Sequence, residues 1–334
     1  MTRIGIAAML FAFAIPASAS PLTSSGTLDD SFETVTPVIG GTQVPAGKWP
    51  DAVAVLGQGA CTGTLIAPDV VLTAGHCADM QPTQVIANST DYAGGGGITA
   101  QVKSVTPYPN WENSYDVTVI VLTAPITGVT PRKVGTSCTF TEGFSDGKMV
   151  HLVGFGLTDT AGQGNNTRLN ETMAPITDAD CSGPGGCVTS ISPGGEFIAG
   201  GGGKDSCFGD SGGPVYLDTP RGPVVVGAVS RGLDGAATPC GGGGVYVRTD
   251  KIVNWIEQTA GKPIEKDLCA AGPGGEDPGG EDPGGEGPGG DNGPSGPSGG
   301  SQAGDITGGC SAGGSSGLAL GLLGLALVRR RRKA

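Results

Sequence analysis

The sequence predicts an all-β protein. Two observations carry this. Between the two ends of the chain, short apolar runs alternate with clusters of Gly, Pro, Asn and Asp, a spacing that belongs to short strands in a sandwich or a barrel. Only one segment reads as a helix. In chain order, examples of these runs are Ala52–Leu56, Gly63–Ile66, Val70–Leu72, Thr118–Leu122, Met149–Val153 and Val224–Val229. The helix follows Asp250 as its cap, with Ile252, Val253 and Ile256 on apolar positions and Gly261 and Pro263 as stop signals.

Both ends of the 334-residue chain separate from this folded part. Arg3 precedes an apolar run from Ile4 to Ile15, and Ala17-Ser18-Ala19 is a small-x-small cleavage site. Residues 1–19 therefore read as a secretory signal peptide, since the run is too short and wrongly flanked for a membrane span. From Ala270 the chain turns into Pro-Gly-Gly-Glu-Asp repeats beginning at Pro273. Nothing there forms an apolar face, so residues 270–309 read as an extended, self-repelling, disordered spacer. Its period of five excludes collagen. Residues 310–334 hold Gly309-Cys310-Ser311 at their border, an apolar stretch from Gly317 to Val328, and the cluster Arg329 to Lys333. That stretch is short for a stable span, and its basic cluster would stay cytoplasmic. The acidic spacer contributes to the net charge of −12, so the charge names no basic partner for the folded part.

Nine cysteines behind a signal peptide fit an oxidising compartment. Setting Cys310 aside leaves eight, an even number. Zinc does not fit, because no histidines share the cysteine spacing.

The chemistry sits in three motifs. Thr73-Ala74-Gly75-His76-Cys77 comes first, Tyr115-Asp116-Val117 follows, and Gly209-Asp210-Ser211-Gly212-Gly213-Pro214 comes last. A serine hydroxyl is a poor nucleophile until a base takes its proton, and the base needs a carboxylate to hold its tautomer. With only His76 and His151 in the chain, the choice of base is nearly forced. His151 lies on an expected strand outside any motif and reads as structural.

From about Val38 to Gly261 the chain resembles the trypsin-like serine proteases. Further matching runs are Val38-Ile39-Gly40-Gly41, Cys61 to Ile66, Gly154-Phe155-Gly156, Lys204 to Pro214, Gly243 to Tyr246 and the segment around Trp255-Ile256. One GDSGG among 64 glycines could be chance; six motifs in order are not. The resemblance implies two six-stranded antiparallel barrels with a C-terminal helix. It sets the protease domain at 38–269, with barrels at about 38–146 and 147–250. It implies Ser211 as nucleophile, His76 as general base and acid, Asp116 as the residue orienting the imidazole, and the amides of Gly209 and Ser211 as the oxyanion hole. Asp205 matches the floor of the primary specificity pocket, Gly232 and Gly244 its walls, and Ser206, Phe208 and Ser230 further substrate-binding positions. A buried carboxylate at 205 needs a partner, which a substrate Arg or Lys would supply.

The resemblance also implies Cys61–Cys77 and Cys207–Cys240 bridges. Cys181 and Cys187 then close a local loop, a departure, since in the family the first pairs with a cysteine at the position of Ile198. Cys138 and Cys269 are left to each other. Arg231 is a second departure, standing where the family usually has an aromatic residue beside the pocket. A guanidinium there is expected to disfavour basic residues upstream of the cleaved bond. Activation is the third departure. In the family, cleavage frees an α-amino group, here that of Val38, which pairs with the aspartate before the nucleophile, here Asp210. Pro37 precedes Val38, and no Lys or Arg occurs between Arg3 and Lys48, so a trypsin-like enzyme cannot cut this junction itself. A propeptide at 20–37, removed by a separate protease, is therefore expected.

The tail from Cys310 is similar to the myxobacterial surface-sorting signal, which implies processing by sorting machinery and display at the cell surface. The overall expectation is an exported, monomeric endopeptidase acting on polypeptides after Arg or Lys. No cofactor or metal is called for, and no basic aromatic patch points to nucleic acid. The rival reading is a surface-displayed binding module on the same fold, weak or inactive in catalysis.

Overall fold

Two closed six-stranded antiparallel β-barrels make up the computed structural model, which describes residues 38–183 and 186–269. The expected signal peptide, propeptide and spacer, and the segment with Cys310, lie outside the described residues. In chain order the elements are β1 (Thr42–Gln43), β2 (Ala52–Leu56), β3 (Ala60–Ala67), β4 (Val70–Thr73), β5 (Gln84–Ala87), β6 (Ile98–Pro107) and β7 (Thr118–Leu122). Then come β8 (Val134–Gly135), α1 (Ser137–Gly143), β9 (Met149–Gly154), β10 (Asn170–Asp178) and β11 (Glu196–Ala199). The chain continues with β12 (Pro214–Thr219), β13 (Gly222–Gly232), β14 (Gly244–Arg248), α2 (Val253–Ala260) and β15 (Lys266–Asp267). The first barrel runs β2-β3-β4-β7-β6-β5 and closes through β2 and β5. The second runs β12-β9-β10-β11-β14-β13 and closes through β12 and β13. Closure pairs the strand edges that an open sheet would expose.

Strand alternation explains the cores. Val53 and Val55 fill the first barrel with Leu65, Val71, Val85 and Ile120. Their neighbours Ala52 and Ala54 point the other way, into a layer with Leu72, Val119, Val153, Tyr216 and Ile256. Both faces are buried, which is why β2 reads as a continuous apolar run. The second barrel is filled by Val150, Leu152, Ile176, Phe197, Val215, Val226 and Tyr246, and Val38 packs into the same cluster.

A polar knot joins the barrels. Asp51, fully buried at the start of β2, accepts from the Tyr216 hydroxyl on β12 at 2.6 Å and from Arg132 Nε at 2.9 Å. Arg132 comes from the connection between barrels, and its guanidinium lies 4.9 Å from the Tyr216 ring centroid. Removing one partner of a buried pair strands the other charge, so Asp51→Ala is expected to cost about 3–5 kcal/mol. Urea denaturation checks this; a loss below about 1 kcal/mol would show that water replaces the pair.

The structure differs from the sequence reading in three places. Residues 42–43, expected in the first barrel, pair with Glu171 and Asn170 on β10 of the second. Asp250 does not cap α2. The helix starts at Val253 after a 3-10 turn over Thr249–Lys251, and Ile252 is the flanking residue. Asp250 instead accepts from Arg248 Nε at 3.1 Å and Nη2 at 3.0 Å, charge-assisted bonds stronger than a cap would give. Gly261 does end the helix, with φ +68°, a left-handed geometry that glycine adopts at no steric cost. Finally, α1 went unread. Its start is a capping box between Thr136 and Thr139 without the usual Glu or Gln, and Cys138 in its first turn is bridged to Cys269.

Candidate active site

The site gathers the ends of strands from both barrels. His76 follows β4 and opens a 3-10 turn, while Asp116 stands two residues before β7. Because β4 and β7 are paired neighbours, Thr73 opposite Thr118, His76 and Asp116 meet although they stand 40 positions apart. Ser211 lies three residues before β12, and Ser230, Arg231 and Gly232 end β13. His76, Asp116, Ser211, Ser230, Arg231 and Gly232 all line one cleft of about 490 Å³, with Ser206, Phe208 and Trp111.

Asp116 is the hub. Its Oδ2 lies 2.9 Å from His76 Nδ1 and accepts from Ser230 Oγ at 2.7 Å, and its Oδ1 accepts from the His76 amide at 2.9 Å. Burial pushes its pKa up, but the hydrogen bonds and charge of His76 and the Ser230 hydroxyl outweigh this and hold it below the usual carboxylate range. An ionised Asp116 requires a proton on Nδ1, which leaves Nε2 free as a base.

The segment before Ser211 is held by its backbone. Gly209 has φ +98°, a conformation suited to glycine alone. Its carbonyl accepts from Thr62 Oγ1 at 2.8 Å. The Ser211 carbonyl accepts from the Thr62 amide at 3.0 Å, and the Gly212 amide donates to Val229 at 2.7 Å. Among the described residues, the amides of Gly209 and Ser211 donate to no protein acceptor, so both remain available to an oxyanion. Asp210 turns inward and is fully buried. It accepts from the amides of Gly156 at 2.7 Å and Cys207 at 2.8 Å. A side chain at Gly154 or Gly156 would collide with this carboxylate, which is the physical content of the Gly154-Phe155-Gly156 motif. Burial raises the Asp210 pKa to about 7.

Asp205 is buried behind Ser206 and does not line the cleft. Its carboxylate accepts from the amides of Ser206 at 2.8 Å, Gly241 at 2.9 Å and Gly243 at 3.0 Å. Burial raises its pKa, partly offset by those amides. Gly232 is on the cleft wall, whereas Gly244 lies behind it, against the Tyr246 hydroxyl and the Arg231 carbonyl. Phe208 projects from the rim, 61% exposed.

Four disulfides form: Cys61–Cys77, Cys138–Cys269, Cys181–Cys187 and Cys207–Cys240. The first pins the loop of His76 and the last borders the cleft. Among the described residues, the closest groups of metal-ligating types, Cys61–His76–Cys77 and Cys181–Cys187–Glu196, both spend their cysteines on these bridges. His151 hydrogen-bonds Asp218 at 3.0 Å and stands edge-on to Trp49, away from the cleft.

Arg231 does not stand alone beside the cleft. The guanidinium is paired with Glu196 on β11, Nη1 to Oε1 at 2.7 Å, and Glu196 has no exposed surface. Glu196 was not singled out from the sequence, and neither was Trp111, whose ring centroid lies 6.2 Å from that of His76.

A histidine on a buried carboxylate, a serine followed by two glycines in the same cleft, and two free amides at the junction of two closed barrels define a serine peptidase. The trypsin family model matches residues 38–256. Trypsin 5G1 of Aedes aegypti is 29% identical over 241 residues, covering 67% of this chain and 85% of that protein. Trypsin of Saccharopolyspora erythraea is 31% identical over 222 residues, covering 63% and 92%. The chain belongs to the trypsin family and is a serine endopeptidase whose substrates are polypeptides.

Proposed function

We propose that the protein is an exported endopeptidase that cleaves after Arg or Lys through Ser211, His76 and Asp116. The observation that carries the triad is the 2.9 Å contact of His76 Nδ1 with buried Asp116 in the cleft that Ser211 lines. Ser211 Oγ attacks the scissile carbonyl carbon while His76 Nε2 takes its proton. The carbonyl oxygen becomes an oxyanion and receives the amides of Gly209 and Ser211. The C–N bond then breaks, and His76 returns the proton to the leaving amine. Water repeats the sequence on the acyl-enzyme and frees Ser211.

Support for basic specificity comes from Asp205, a buried carboxylate that accepts from three neutral backbone amides and is adjacent to the cleft residue Ser206. A cationic substrate side chain offers it a counter-charge. The test is hydrolysis of peptides differing only at the residue before the cleaved bond, using protein with a verified Val38 N-terminus and Ser211→Ala as control. Cleavage after Arg and Lys alone is expected, and Asp205→Ser is expected to lower kcat/KM on them by about 10³-fold or more. Equal cleavage after apolar residues would reject the assignment.

Upstream of the cut, the paired Arg231 presents little net charge. Basic residues there are expected to change kcat/KM by no more than about threefold, read from a peptide library.

Removal of residues 20–37 by a separate protease, pairing of the freed Val38 ammonium with Asp210, and surface display through the segment beginning at Cys310 complete the reading. Mass spectrometry of the mature protein tests both ends; a mature form starting at Ser20 would refute the propeptide.

A further inference from the structure

Glu196 and Arg231 form a forked pair that continues directly into the triad. Arg231 Nη1 lies 2.7 Å from Glu196 Oε1, and Nη2 lies 3.1 Å from Oε2. The guanidinium also donates to the Gly186 carbonyl at 2.8 Å, and Glu196 Oε2 accepts from the Val188 amide at 2.7 Å. Both partners are thus fixed by more than each other. Arg231 Nη1 then stands 3.0 Å from Ser230 Oγ, which is 2.7 Å from Asp116 Oδ2.

The polarity of this chain is forced by its ends. A guanidinium has only donors, and an ionised carboxylate only accepts. The Ser230 hydroxyl has one proton. With one of its lone pairs taken by Arg231, that proton is left for Asp116. We propose that Arg231, held by Glu196, is a positioning residue: it orients the Ser230 hydroxyl toward Asp116 and so fixes the carboxylate that holds His76. This rests on the triad reading above. Every link is buried or half-buried, where a hydrogen bond gains strength and a chain of them polarises its members. Without Arg231, the hydroxyl is free to rotate toward other acceptors, and Asp116 loses one of its two side-chain donors for part of the time.

The test separates positioning from a mere lining of the cleft. The double variant Arg231→Met/Glu196→Gln removes both charges together and leaves neither stranded. Its readout is the second-order rate of inactivation by diisopropyl fluorophosphate, a small probe that needs an activated Ser211 but no upstream contacts. Inactivation and kcat are expected to fall together by about 5- to 10-fold, with KM within about twofold of wild type. The downfield proton resonance of His76 Nδ1 is expected to move, and Arg231→Lys to recover part of the rate. A folded double variant inactivated at the wild-type rate overturns the proposal, as does a change confined to KM for longer peptides. If the double variant does not fold, a cycle of Arg231→Lys with Ser230→Ala reads the same link. The effect of Arg231→Lys is expected to vanish without the Ser230 hydroxyl, and additive effects overturn the proposal. Wild-type protein that resists the probe would instead reject the triad itself.

Discussion

Asp116→Asn is expected to leave a folded protein with kcat reduced about 10⁴-fold, a magnitude carried over from other serine proteases with this triad. The physical reason is the identity of the atoms around the carboxylate. Asp116 accepts from three donors, the His76 ring, the His76 amide and the Ser230 hydroxyl. An asparagine fills the same volume, but one of its ends becomes a donor. Turned toward Nδ1, that end selects the tautomer with its proton on Nε2, which cannot take a proton from Ser211. Turned away, it meets the Ser230 hydroxyl, which must then give up its proton's target. The barrels do not depend on this side chain, so the melting temperature is expected to stay within a few degrees while turnover collapses. Turnover on the best peptide, with circular dichroism melting on the same sample, checks both halves. An unchanged kcat would reduce Asp116 to a cap on the His76 backbone.

The pairing of His76 with Asp116 was legible because its chemistry is compressed into short motifs, and the barrels followed from their resemblance. What the sequence hid has a common physical cause: partners set by strand register across the second barrel. Glu196 lies on β11, which β14 separates from β13. Arg231 is paired there with Val245, and Ile198, two residues along from Glu196, faces the same Val245. Nothing in Gly-Gly-Glu-Phe-Ile announces that a buried acid awaits an arginine 35 positions later. The Asp51–Arg132–Tyr216 knot is hidden in the same way, across 81 and 165 positions. Asp250 fails as a cap for the opposite reason, a competitor too close to ignore, since Arg248 is two residues away. Local signals chose correctly wherever backbone conformation alone decided, as at Gly261. They failed where a charge had a choice of partners.

Asp210 gives the second large effect, and the pH window in which stability is lost is expected to move upward on processing. In the unprocessed chain its carboxylate is fully buried and its pKa stands at about 7, raised first by burial and further by the charge of Asp205, with the Cys207 and Gly156 amides opposing. The unfolded chain releases this proton near the ordinary value of 3.8. Between those values the folded state binds more protons, so stability is full below the lower one and falls as pH rises to the upper. The loss amounts to roughly 4 kcal/mol, a large share of the roughly 5–15 kcal/mol that holds a domain together. Cleavage before Val38 creates an α-ammonium on a residue whose side chain is already buried in the second barrel. Paired with Asp210, that ammonium brings the carboxylate pKa back down and supplies the missing counter-charge. The mature form is then expected to hold its stability through neutral pH and to lose it at alkaline pH, as the ammonium gives up its proton. Urea midpoints from about pH 4 to 9, measured on Ser211→Ala protein before and after processing, test this shift directly. Asp210→Asn is expected to flatten the curve of the unprocessed chain, because it removes the titrating group and keeps the shape. Parallel curves before and after cleavage would mean that the Val38 amine does not reach Asp210.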